Sequence, residues 1–91
     1  MPEPIVVFLV TPHAAFEMRR RGLDETLVRQ VLLSPEQREA VRPGRDALQS
    51  RLEIEGKRYL VRVFVDVDRS PAEVITVYRT SRIDKYWRSE A

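Results

Sequence analysis

The chain has no cysteine and a single histidine in 91 residues. Disulfides, a thiolate nucleophile and the common zinc sites are therefore excluded, because each needs several of these side chains or a thiol. Glycine is nearly as scarce, and Gly22, Gly44 and Gly56 stand alone, so there is no glycine-rich loop to cradle a phosphate. No nucleophile-elbow motif places a serine for a hydrolase triad. The longest apolar run is Ile5 to Val10, far short of the ~20 residues of a spanning helix, and no basic stretch with a small-residue cleavage site accompanies it. Neither membrane insertion nor Sec export is expected, no cofactor is expected, and a cytoplasmic location is the default. Lysine is also rare: only Lys57 and Lys85 interrupt a basic complement that is otherwise arginine.

What is present suits one globular domain over residues 1–91. Hydrophobic residues make up 43% against a net charge of only +2, which is too apolar and too balanced for a disordered chain. The balance is uneven along the sequence. Residues 1–56 carry eight basic and nine acidic side chains (net −1) and residues 57–91 carry eight and five (net +3), so any electrostatic footprint leans towards the C-terminal half. Arginine's planar fork suits phosphate, which permits a nucleic-acid partner.

Local signals predict a strand, two helices and then strands. Ile5 to Val10 is short, apolar and β-branched, as in a covered strand. Thr11 is a helix cap, Pro12 fits the first helical position and Gly22 lies just past the end, which predicts a helix over Pro12 to Arg21. Asp24 caps a second helix whose Leu27, Val28, Val31 and Leu32 form one stripe and which stops before Pro35. Arg38 to Arg42 is a candidate short strand. The period then changes to two: Leu48 to Ile54 and Tyr59 to Val65 alternate about the Glu55–Lys57 turn as an antiparallel hairpin, and Val74 to Thr80 forms a further strand. Ile83 to Arg88 is left as a last helical turn or a docked tail. The expected fold is α+β, with the N-terminal strand leading into two helices packed on one face of a curved antiparallel sheet of about four strands.

Alternation also sorts the polar residues. With Leu52, Ile54, Tyr59, Val61 and Val63 facing the helices, Arg51, Arg58 and Arg62 emerge on the other face. Ile75 and Val77 on the core side of the last strand add Thr76 and Tyr78 to that face. Three arginines, hydroxyls and an aromatic ring are what a single-stranded backbone recognises by ion pairing and stacking. The plainer reading is a solvated face whose arginines pair with Glu53 and Asp66. On the first helix, Ala14, Ala15 and Met18 form the apolar side and His13, Glu17 and Arg20 project away from it. The run Arg19 to Arg21 complements the helix dipole and spans too much of the wheel to face one ligand.

The stretch "TPHAAFEMRRRGLDETLVRQVLLSPE" resembles the opening of a family of small bacterial domains of unknown function. These have His-Ala at a helix start, a basic residue before Gly-Leu or Gly-Ile, and a second helix ending near Asn-Pro or Ser-Pro. "GKRYLVRVFVD" and "EVITVYRTSRIDKYW" are similar to that family's closing hairpin. The family is grouped by fold with RelE/ParE-type toxins, several of which cut RNA without metal using scattered His, Arg, Lys, Tyr and Ser/Thr side chains. The resemblance implies roles for His13, Arg21, Thr76 and Tyr78, and departs from the pattern at Glu17, where a basic or polar side chain is expected.

Together these readings lead to a toxin-like, metal-independent ribonuclease. His13 or Glu17 would deprotonate the 2′-hydroxyl, Arg21, Arg51 and Arg62 with Arg58 would bind the RNA and its developing charge, and Tyr78 or His13 would protonate the leaving oxygen, with Thr76 beside it. The alternative is a non-catalytic RNA- or protein-binding module of the same fold. The partners expected are RNA, free or ribosome-associated, and a cognate antitoxin. A monomer and a homodimer joined at sheet edges are both open.

Overall fold

A computed structural model describes residues 2–89. The helix signals of the N-terminal half act as their chemistry requires. Thr11 accepts a hydrogen bond from the Ala14 N–H at 3.2 Å and starts α1, Pro12–Arg20. Arg21 is its C-cap, and Gly22 turns the chain at φ +67°, a left-handed conformation that glycine adopts without Cβ strain. Asp24 caps α2, Glu25–Leu33, by accepting from the Leu27 N–H at 2.9 Å. Substituting Gly22→Ala meets no neighbouring atom within 4 Å, so its cost is the backbone term alone. Thermal unfolding should record a loss of about 1–2 kcal/mol.

The strands are β1 (Phe8–Val10), β2 (Gln37–Arg42), β3 (Arg45–Ile54), β4 (Lys57–Asp66) and β5 (Ala72–Thr80), and a short α3, Ile83–Tyr86, follows. They form one sheet in the order β1-β5-β4-β3-β2. Glu55 and Gly56 close the β3–β4 hairpin, both at positive φ (50° and 80°), as a two-residue loop matched to strand twist demands. β2, β3, β4 and β5 pair in antiparallel fashion, but β1 lies parallel to β5 through Phe8↔Ala72 and Val10↔Val74.

The sheet therefore has five strands of mixed direction where about four antiparallel strands were expected. The N-terminal strand is also shorter than Ile5 to Val10. Ile5 is buried and donates its N–H to Leu32 O at 2.8 Å, while the Arg29 guanidinium lies 4.9 Å from the Phe8 ring. These contacts tie the lead-in to α2, so only the last three residues reach the sheet.

α1 and α2 cover one face. Val28, Val31 and Leu32 of α2 and Ala14 and Met18 of α1 meet Leu48, Val61, Val63, Val65, Val74 and Val77 in a single hydrophobic core. A register irregularity at Phe64/Val65 places Val74, not Ile75, opposite Val65, so Ile75 is only half-buried and Val74 takes the core position. The two helices do not account for every helix in the fold. α3 and the residues after it lie across the opposite face, where Leu60, Gln49 and Arg62 are also buried. β3 and β4 thus have both faces covered. Among the described residues no helix is long and apolar enough to cross a membrane.

Two ion pairs rivet the β-sheet rim. Arg45 donates to both oxygens of Asp66, at 2.7 and 3.3 Å, and Arg51 donates to both oxygens of Glu36, at 3.1 and 3.0 Å. The hydrogen bonds from Arg45 hold the Asp66 carboxyl below its ordinary 3.8, and those from Arg51 hold Glu36 below its ordinary 4.5. On acidification the unfolded chain takes up these protons first. The stability the pairs add is full above the ordinary values and is lost as pH falls through the lower folded-state values. The melting temperature should be flat above about pH 5 and drop below about pH 4, and Asp66→Asn should flatten part of that drop.

Candidate nucleic-acid interface

β1 pairs only with Ala72–Val74, so the outer edge of β5 beyond Val74 has no strand neighbour. Arg21 fills the gap: its guanidinium donates to Val77 O at 2.8 Å. Its other nitrogen lies 3.0 Å from Glu17 Oε1, and Arg20 lies 3.0 Å from Glu17 Oε2. Glu17 does not project from the outer side of the helix; it is 8% exposed. At 100° per residue Ala14, Glu17, Met18 and Arg21 share one stripe, and the two guanidiniums make burial of that carboxylate tolerable.

Arg79 completes the cluster. It opposes Val61 and so lies on the helix side of the sheet, where Arg20, Arg21, Gly22 and Arg79 line an open groove of about 430 Å³. The Arg79 guanidinium sits 4.7 Å from the Tyr59 ring centre, and Lys57 Nζ sits 5.6 Å from the same ring. Among the described residues no carboxylate lies within ion-pair distance of Arg79 or Lys57. Three guanidiniums thus line the groove at Gly22, which carries no side chain to block it, and the one carboxylate beside them, Glu17, pairs with Arg20 and Arg21.

His13 is exposed in the first turn of α1, at the opposite end of the helix from Arg20 and Arg21. Thr76 and Tyr78 are on the far face of the sheet. Register places them beside Phe64 and Arg62, which in turn neighbours Gln49, with Arg51 opposite Leu60 and Arg58 opposite Glu53. The sheet therefore stands between His13, Glu17 and Arg21 on one side and Thr76, Tyr78, Arg51, Arg58 and Arg62 on the other.

That far face is not open. Arg62 is 8% exposed and is held on all sides. It donates to Gln49 Oε1 at 2.8 Å, to the Tyr78 hydroxyl at 2.8 Å and to Glu39 Oε1 at 3.3 Å, and its guanidinium lies 4.8 Å from the Tyr86 ring centre. Arg51 is paired to Glu36 and stacked 3.9 Å from the Trp87 ring centre. The partners expected for these arginines, Glu53 and Asp66, are replaced by Glu36 and Glu39 of the β2 region, and Asp66 serves Arg45. Arg58 alone of the three is exposed. Sequence reasoning missed Lys57, Tyr59 and Arg79 as a cluster. The signal was there: Arg79 stands two residues after the core residue Val77 and shares its side of the strand.

The family described as a domain of unknown function, DUF4258, matches residues 10–79. The chain belongs to this family. No curated protein and no solved structure matches it. The DUF4258 match takes in α1, its arginine cap, Gly22 and Arg79, and stops short of α3.

Proposed function

We propose that this domain binds single-stranded RNA without cleaving it, through the groove around Gly22. The observation that carries the reading is the gathering of Arg20, Arg21 and Arg79 about a side-chain-free turn, with one carboxylate among them and Tyr59 alongside. Guanidiniums in such a groove track a phosphate backbone, and an aromatic ring at its margin offers a stacking platform that tolerates any base. The resemblance to RelE/ParE-type toxins supports RNA as the polymer and a cytoplasmic setting. Binding is preferred to cleavage because the residues expected to carry out proton transfer lie on two faces of the sheet, and the Glu17 carboxylate is engaged by two guanidiniums.

Fluorescence anisotropy with a labelled single-stranded RNA tests this. Arg79→Ala should weaken binding about fivefold at about 0.1 M salt, the share of one phosphate contact. Arg58→Ala, on the other face, should change it little. Loss of affinity on Arg58→Ala with none on Arg79→Ala would move the interface to the wrong side of the sheet for this reading.

A further inference from the structure

The segment Ile83–Arg88 is held as a bound peptide is held. The Gln37 side chain reads the backbone of Arg88 at two points, donating to its carbonyl at 2.6 Å and accepting from its N–H at 3.0 Å. Gln49 donates to Tyr86 O at 3.2 Å. Trp87 lies on the Arg51 guanidinium, Tyr86 on that of Arg62, and the Arg88 guanidinium reaches Glu39. The segment adds no strand to the sheet and no residue of α3 is buried.

The receiving surface is built without it. Gln49 donates to Gln37 at 2.7 Å, Arg62 binds Gln49 and Tyr78, and Glu36 grips Arg51 at two points, so the side chains that meet the segment are fixed by the sheet itself. All of these receiving residues lie within the family match, whereas the segment lies beyond it. The site is also larger than its occupant. Cavities of about 480 and 330 Å³ flank Arg88 and share Pro2, Glu36 and Gln37 in their walls, within the size range of ligand sites.

We propose that this face of the sheet is a peptide-recognition site for a linear segment of another protein, an aromatic pair followed by arginine in which the first aromatic closes a helical turn and the second is extended, and that Tyr86-Trp87-Arg88 is its built-in competitor. Backbone reading by Gln37 and Gln49 would supply affinity for any extended chain. The stacking positions on Arg62 and Arg51, and the acid Glu39, would select aromatic, aromatic and arginine in that order. Because the chain's own segment is tethered at a high effective concentration, a partner succeeds only by filling the flanking cavities as well or when the segment is weakened.

The test uses a labelled, end-blocked peptide copying residues 82–89, titrated into the full chain and into the full chain carrying Trp87→Ala and Arg88→Ala. The double variant should bind at least about tenfold more tightly than the unaltered chain, since its competitor is disabled. Adding Gln37→Ala should abolish that binding, and a scrambled peptide, read at its backbone alone, should bind much more weakly. A folded double variant that ignores the peptide at about 1 mM, or that binds the scrambled peptide equally, overturns the proposal. Should the double variant fail to fold, the chain carrying Arg88→Ala alone, whose segment is weakened but keeps Trp87, decides by nuclear magnetic resonance. Excess peptide should shift the side-chain amides of Gln37 and Gln49 and move the Trp87 indole towards its free position, and an unchanged spectrum overturns the proposal.

Discussion

Replacing Arg62 by alanine should remove a large part of the domain's stability. The guanidinium is almost fully enclosed and donates to three different side chains, Gln49, Tyr78 and Glu39. Removing it strands those acceptors in a covered layer, and breaking a buried pair in this way costs about 3–5 kcal/mol. The lower end applies here, because Glu39 keeps Arg88 and its side chain is a quarter exposed. A domain of this length has a total stability of about 5–14 kcal/mol, so even about 3 kcal/mol lowers the melting temperature by about 12–24 °C. Arg62→Lys should recover little, since a point charge cannot reach three acceptors at once. The loss should be visible twice: in the thermal midpoint, and in the emission of Trp87, the only tryptophan, which shifts to the red as its segment leaves the sheet.

The second large effect concerns the opposite face. Arg79→Glu removes one phosphate contact and puts a repelling charge in its place. At about 0.1 M salt one contact to a single strand contributes about fivefold, so loss plus repulsion amounts to about 25-fold in affinity for single-stranded RNA. The substitution should leave the fold intact, because the Arg79 guanidinium rests on the face of Tyr59 and has no carboxylate partner among the described residues. An unchanged melting temperature with a collapsed affinity is the expected pair of results from calorimetry and anisotropy.

These two residues also show what the sequence could and could not convey. Helix starts are written in a few adjacent residues, so the roles of Thr11, Pro12, Gly22 and Asp24 were legible. Strand alternation likewise places Arg51, Arg62, Thr76 and Tyr78 on a common face, and the register agrees. Alternation says which side a residue faces and nothing about what covers that side. The cover on Arg62 comes from Tyr86, and that on Arg51 from Trp87; both are aromatic residues in a charged stretch with no period to read. β1 is another long-range event: the Thr11 hydroxyl and N–H both donate to Val74 O, 63 residues away, and no local pattern announces a parallel pairing of three residues. Glu17 falls beside Ala14 and Met18 at 100° per residue, so its inward side was legible; the partners that neutralise it there, Arg20 and Arg21, are set by the folded geometry.

On the proposed reading, a cationic groove on the helix side of the sheet, and not catalysis on its far side, is what this domain offers to RNA. The most direct measurement is the affinity for a single-stranded RNA across a series of salt concentrations, with the RNA recovered and its length checked at each point. Two or three phosphate contacts from Arg20, Arg21 and Arg79 predict a log-log slope of about −1.4 to −2.1, with the RNA intact throughout. A slope near zero, or RNA shortened by the unaltered chain and spared by His13→Ala, would contradict the account.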